Sequence, residues 1–137
     1  MIVLFKIAIV WNNFRFLNLS LELVIIVFFC NYSQFYCPLK QIAIPTSVKE
    51  IGEYCFYYCY NLEKVEFAAP SSLVTIKSCA FYYCSSLREI SIPPSVTSIG
   101  SSCFSCCSNL RRVSLPQSLI GNRSSYDINS SASIYQS

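Results

Sequence analysis

Cysteine is the residue type best able to do chemistry in this chain, which holds nine among 137 residues. Cys103-Phe-Ser-Cys106 has the C-x-x-C spacing that elsewhere binds zinc or cycles between dithiol and disulfide. A structural zinc needs a second pair at a fitting distance. The other close pairs do not match, because Cys55 and Cys59 are four apart and Cys79 and Cys84 five apart. A redox pair would sit in a βαβ setting, which the flanking sequence does not supply. There is no histidine, which removes the commonest general base at neutral pH along with histidine-based triads and zinc motifs. Three glycines, at 52, 100 and 121, form no phosphate-cradling loop. The seven carboxylates lie on strand edges and turns, not paired beside an apolar cleft. No catalytic residue, metal or cofactor is assigned, and an enzyme is not expected.

These cysteines recur because the chain itself repeats. Ile44 to Leu115 contains one phrase three times. Val48, Leu73 and Val96 correspond, as do Ile51, Ile76 and Ile99, and Phe56, Phe81 and Phe104. So do Leu62, Leu87 and Leu110, then Val65, Ile90 and Val113. The offsets are 25 and then 23, and the two extra residues fit at Ala68-Ala69. Cys59, Cys84 and Cys107 form one column, and Cys55, Ala80 and Cys103 another. Alanine in the second column marks a slot for a small buried side chain, so packing is the leading reading for the cysteines, ahead of disulfides and metal. An odd number of cysteines leaves at least one thiol unpaired in a secreted chain. In the C-x-x-C pair, Cys103 and Phe104 are repeat positions; Cys106 is off-pattern and aligns with Tyr58 and Tyr83.

A period in the twenties is too short for a domain and suits one coil of a solenoid, whose apolar positions are buried only by stacking on the next coil. Within each unit the pattern Leu-x-x-Val/Ile-x-apolar ends in strand-like alternation, and Pro45, Pro70, Pro93 and Pro116 stop the strands. A second short extended piece, Ser-Val-x-x-Ile, follows. Gly52 and Gly100 then permit a turn, although Lys77 stands there in the middle copy, so positive φ is not obligatory. Apolar residues at i and i+3 in Cys-Phe-x-x-Cys suggest one helical or 3-10 turn.

The phrase Ile-Pro-x-Ser-Val-x-x-Ile-Gly-x-x-Cys/Ala-Phe-x-x-Cys-x-x-Leu-x-x-Ile resembles the BspA-like class of leucine-rich repeats over roughly residues 39–120. The resemblance implies a β-rich α/β fold: a right-handed, curved leucine-rich-repeat solenoid with short parallel strands and single helical or 3-10 turns. It also implies kinship with surface antigens and adhesins of bacteria and anaerobic protists.

Three segments are expected. Residues 1–34 are hydrophobic and open to several readings: an eroded capping repeat over 16–38, a signal peptide or membrane anchor, or a non-native translated leader. Leu23–Cys30 is apolar but too short to span a bilayer as a helix. Residues 35–120 form the solenoid. Residues 121–137 are polar and serine-rich, and read as a flexible tail.

Charged residues make up 12% of the chain and the net charge is +3, too little to argue for nucleic acid. On each long strand the residues between the apolar ones face outward. They align as Lys40, Glu63, Arg88 and Arg111; as Gln41, Lys64, Glu89 and Arg112; and as Ala43, Glu66, Ser91 and Ser114. Neighbouring strands would set Glu63 beside Arg88 and Lys64 beside Glu89. The plain reading is a solvated face with cross-strand pairing; the functional one is a binding face made of Glu63, Lys64, Glu66, Arg88, Glu89, Ser91, Arg111, Arg112 and Ser114. Arg111 and Arg112 have no acidic neighbour in a following coil and would make that end basic. Tyr57, Tyr58, Tyr82 and Tyr83 recur at the turn, either as packing or as exposed contact area.

The expected function is a non-enzymatic protein-binding module, an antigen or adhesin at the cell surface or secreted, engaging a protein or other cell-surface macromolecule. The alternative is an intracellular, cytoplasmic scaffold or a fragment of a longer repeat array. An anchor over residues 1–30 would add a membrane association.

Overall fold

Alternation sets the first side of each coil. In β1 (Gln41–Ile44), Ile42 and Ile44 are buried while Gln41 and Ala43 are exposed. The same inward and outward order recurs in β3 (Lys64–Phe67), β5 (Glu89–Ser91) and β7 (Arg112–Leu115). The computed structural model describes Cys37 and residues 39–137, so the N-terminal readings over 1–34 fall outside the described residues. β1 and β3 pair in parallel, with Ile42 opposite Val65. β5 and β7 pair in the same way, with Ile90 opposite Val113.

Proline closes each strand and turns the corner. The amides of Val48, Val96 and Leu119 return to the carbonyls of Pro45, Pro93 and Pro116 at 3.2, 3.1 and 2.9 Å. The chain then enters a second parallel sheet, built from β2 (Glu50–Ile51), β4 (Thr75–Ile76) and β6 (Ser98–Ile99). Parallel sheets on two sides of a repeating coil make a β-solenoid, as the periodicity predicts.

The third side corrects one expectation. Cys-Phe-x-x-Cys makes no helical or 3-10 turn in these three coils. A helix would consume its amides internally. Here only alternate amides do so: those of Cys55, Tyr57 and Cys59 return to Gly52, Tyr54 and Phe56 at 3.3, 3.1 and 3.1 Å. Tyr54, Phe56 and Tyr58 instead donate to the carbonyls of Ser78, Ala80 and Tyr82 in the next coil, at 3.3, 2.7 and 2.9 Å. This zigzag demands left-handed backbone at two columns: Tyr54, Cys79 and Ser102, and Tyr58, Tyr83 and Cys106, with φ between 53° and 63°. Such a conformation costs a residue with a Cβ about 1–2 kcal/mol, and bonds between coils hold it in place.

Positive φ therefore falls two residues beyond the glycines, and no glycine adopts it. Gly100 is required for another reason: a Cβ there would lie 2.2 Å from the Ser78 nitrogen and 2.6 Å from its Cα.

The core is the set of repeated positions. Phe56, Phe81 and Phe104 form one column, with ring centroids 5.0 and 5.7 Å apart and planes within 13° and 5° of parallel. All three are at most 1% exposed. The thiols of Cys84 and Cys107 donate to the carbonyls of Phe56 and Phe81 at 3.2 and 3.1 Å. Packing is thus one use of the cysteine column, but its first member differs. Cys59 is disulfide-bonded to Cys37, 22 residues earlier, with Cα atoms 5.0 Å apart. Adjacent positions of a parallel ladder fall naturally in the Cα range that a disulfide requires.

A second correction concerns the C-terminus. Residues 121–137, expected as a flexible tail, form a further coil. α1 (Gln117–Ile120) follows Pro116, and β8 (Ser133–Gln136) pairs in parallel with β7. The amides of Ser102 and Phe104 donate to the carbonyls of Ser125 and Tyr126 at 3.0 and 2.9 Å. Leu119, Tyr126 and Ala132 are buried. Burial in this coil is thus met by residues that carry no repeat signature.

Candidate binding surfaces

The outward residues of β1, β3, β5 and β7, with the residue preceding each, make the sheet face. Glu63, Lys64, Glu66, Arg88, Glu89, Ser91, Arg111 and Arg112 are exposed, and Ser114 is half-buried. Alternation turns Lys64 and Glu66, Glu89 and Ser91, and Arg112 and Ser114 away from the core, while Glu63, Arg88 and Arg111 are exposed just before their strands. Pairing on this face differs from expectation. Lys64 meets Glu66 on its own strand at 2.5 Å, not Glu89 across the gap. The Glu66 hydrogen bond and charge raise the Lys64 pKa above the usual lysine value, with a smaller push from Glu89. Arg112 pairs with Glu89, so the supposed basic end is partly neutralised. Arg111 donates to the Ser131 hydroxyl at 3.1 Å.

The reason lies in the sheet. β1 with β3, and β5 with β7 and β8, form separate sheets, although β3 lies beside β5. The division falls where Ala68-Ala69 lengthens the coil. Glu63 and Arg88, expected as partners across that line, make no ion pair among the described residues. Arg88 and Arg111 are left as exposed positive charges without an ion-pair partner among the described residues.

The second surface is the turn edge. Tyr57 stacks on Tyr82 with centroids 5.1 Å apart, and Tyr58 on Tyr83 at 4.8 Å with planes 6° apart. Tyr54 and Tyr58 each meet Tyr57 edge-on at 5.3 and 4.5 Å. Tyr54, Tyr58 and Tyr83 are 40, 45 and 41% exposed. Desolvation, then the neighbouring Tyr58, raises the Tyr57 pKa; a hydrogen bond with Cys106 is the main cause raising Tyr82. Sequence reasoning did not place Tyr54 here, since Cys79 and Ser102 fill its column and only its position two residues before Phe56 hints at it.

The C-x-x-C pair is not brought together as a site. Cys103 is buried in the core, and that burial pushes its thiol far above the ordinary range. Cys106 is exposed on the tyrosine column. Among the described residues, no group of three or more His, Cys, Asp or Glu is placed to hold a metal ion, and no helix is long and apolar enough to cross a membrane.

With this geometry in view, comparison with known proteins is informative. The family described as BspA type leucine rich repeat region matches residues 28–135 in six copies. No curated protein matches the chain. Among solved structures, a leucine rich cell surface protein from Faecalibacterium prausnitzii shares 37% identity and a TM-score of 0.54. The match covers 66% of this chain and 24% of that one. A leucine-rich repeat protein from Bacteroides ovatus has the same fold, with 23% identity and a TM-score of 0.50 over 77% of this chain and 38% of that one. The chain thus spans well under half the length of either.

Proposed function

Because the chain belongs to the BspA-type leucine-rich repeat family, a family of repeat scaffolds suited to protein interaction, we propose that it is a non-enzymatic binding module displayed at a cell surface or secreted. The observation that carries this reading is the sheet face, where outward residues are exposed coil after coil and Arg88 and Arg111 have no ion-pair partner among the described residues. Solenoids recognise partners on such extended faces. The positive charges favour an acidic patch on a protein partner and speed its encounter. The surface assignment draws on the Faecalibacterium protein, which is described as a cell surface protein.

Two measurements test this. Protease treatment of intact expressing cells should remove the protein; full protection would end the surface assignment. Binding to a panel of purified extracellular-matrix proteins should fall at least tenfold on R88E/R111E with the circular dichroism spectrum unchanged. Equal binding by the variant would remove the sheet face from consideration.

A second reading is a segment of a longer repeat array, favoured by the 24 and 38% spans of the two related structures. A gene sequence continuing the Ile-Pro-x-Ser-Val phrase beyond either end would support it.

A further inference from the structure

The turn edge takes no part in the sheet-face reading, and its chemistry is different. Residues 54–62, 79–87 and 102–110 contain no charged residue in any of the three coils. Tyrosine, serine and asparagine supply the polarity there. The tyrosines are held as a unit by stacked and edge-on contacts within and between coils. Their backbones are bonded coil to coil, since the Tyr58 and Tyr83 amides donate to the Tyr82 and Ser105 carbonyls at 2.9 and 2.8 Å. In the third coil the stack stops. Ser105 and Cys106 occupy the places of Tyr82 and Tyr83, so among the described residues the last rings have no aromatic neighbour on that side.

We propose that this edge is a binding site for an uncharged polysaccharide, with Tyr58, Tyr82 and Tyr83 as the contact residues. Three properties of the edge select that class. Each tyrosine and serine hydroxyl both donates and accepts a hydrogen bond, as each sugar hydroxyl does. The rings present broad, rigid, amphipathic area, which suits the apolar C–H faces of pyranose rings. The site has no cation to pair with a carboxylate, sulfate or phosphate, and no anion to pair with a basic peptide. Stacking and backbone bonding also fix the rings beforehand, which lowers the ordering cost of binding. Two successive coils repeat the ring pair, with centroids 5.1 and 4.8 Å apart, which suits a ligand that is itself a repeat.

The test is affinity electrophoresis of the full chain through gels containing mannan, xyloglucan or laminarin, with polygalacturonate as the acidic control. At least one neutral polysaccharide should retard the protein, and polygalacturonate should not. The variant Y82S/Y83S should lose at least tenfold in affinity. It should also fold, because the third coil already carries small side chains at both places. Y58F/Y83F keeps the rings without two hydroxyls, and should bind between wild type and Y82S/Y83S. R88E/R111E should bind as wild type, which separates this site from the sheet face. The proposal is overturned if none of the three neutral polysaccharides retards the protein, if polygalacturonate alone does, or if Y82S/Y83S folds and binds undiminished. Loss of binding in R88E/R111E would likewise reassign the site to the sheet.

Discussion

The sheet face and the turn edge are built from the same coils, yet their continuity is opposite. The side with the longer strands is divided, because β3 and β5 lie side by side in separate sheets, whereas the short strands β2, β4 and β6 run on as one sheet. The side without a strand or helix is continuous. Amides of Tyr54, Phe56 and Tyr58 reach the second coil, those of Cys79, Phe81 and Tyr83 the third, and those of Ser102 and Phe104 the fourth. In this molecule the irregular backbone is therefore a spine, alongside the short-strand sheet. The longer strands tolerate a lengthened coil by parting; the turn edge accommodates it without losing a bond.

Their surface chemistry differs accordingly. Charges on the sheet pair locally, Lys64 within its own strand and Arg112 with the preceding coil. The turn edge avoids charge and stacks rings. One surface is adjustable and sensitive to salt; the other is rigid and neutral.

Phe81→Ala should break the comparison most severely. Phe81 is fully buried and sits between Phe56 and Phe104 in the spine. Truncating such a residue costs about 3–5 kcal/mol, and urea denaturation should show the loss as a lower midpoint or an unfolded chain. Stability within about 1 kcal/mol of wild type would show that the spine lies elsewhere. Gly100→Ala comes next. Its methyl group would press on the Ser78 backbone, and forced overpacking costs about 1–3 kcal/mol. A shift in the same denaturation midpoint measures it, and an unchanged midpoint would mean that the two coils separate freely at that corner. Arg112→Ala should matter least. Its pair with Glu89 is exposed on both sides, and such pairs contribute at most about 1 kcal/mol. A larger loss in thermal melts at moderate salt would show that the sheet face, despite its division, supports the stack.

Much of this was legible from spacing alone. Repetition of Phe56, Phe81 and Phe104 predicted a column, and alternation in Lys64–Phe67 and its counterparts predicted which residues face out. What escaped is instructive. The turn was read as helical because i and i+3 spacing is shared by a helix and by a zigzag that bonds to its neighbour; the pattern of side chains does not reveal where amides point. The last coil was missed because Tyr126 and Ala132 fill core positions without the size or type of the residues they follow. The charge pairs were misassigned because pairing across β3 and β5 assumed a constant register, and the insertion at Ala68-Ala69 was known without its effect on the sheet. The disulfide was missed because packing was the leading reading for the cysteines and Cys37 was not placed in the column of Cys59.

That covalent link makes the two ends of the described stack unlike. Cys37 and Cys59 rivet the first coil to the chain that precedes it, whereas the fourth coil is held by hydrogen bonds and the modest cover of Leu119, Tyr126 and Ala132. Fraying under heat, tension or protease would start at the loosely fastened end and travel toward the riveted one. Reducing agent would erase that polarity.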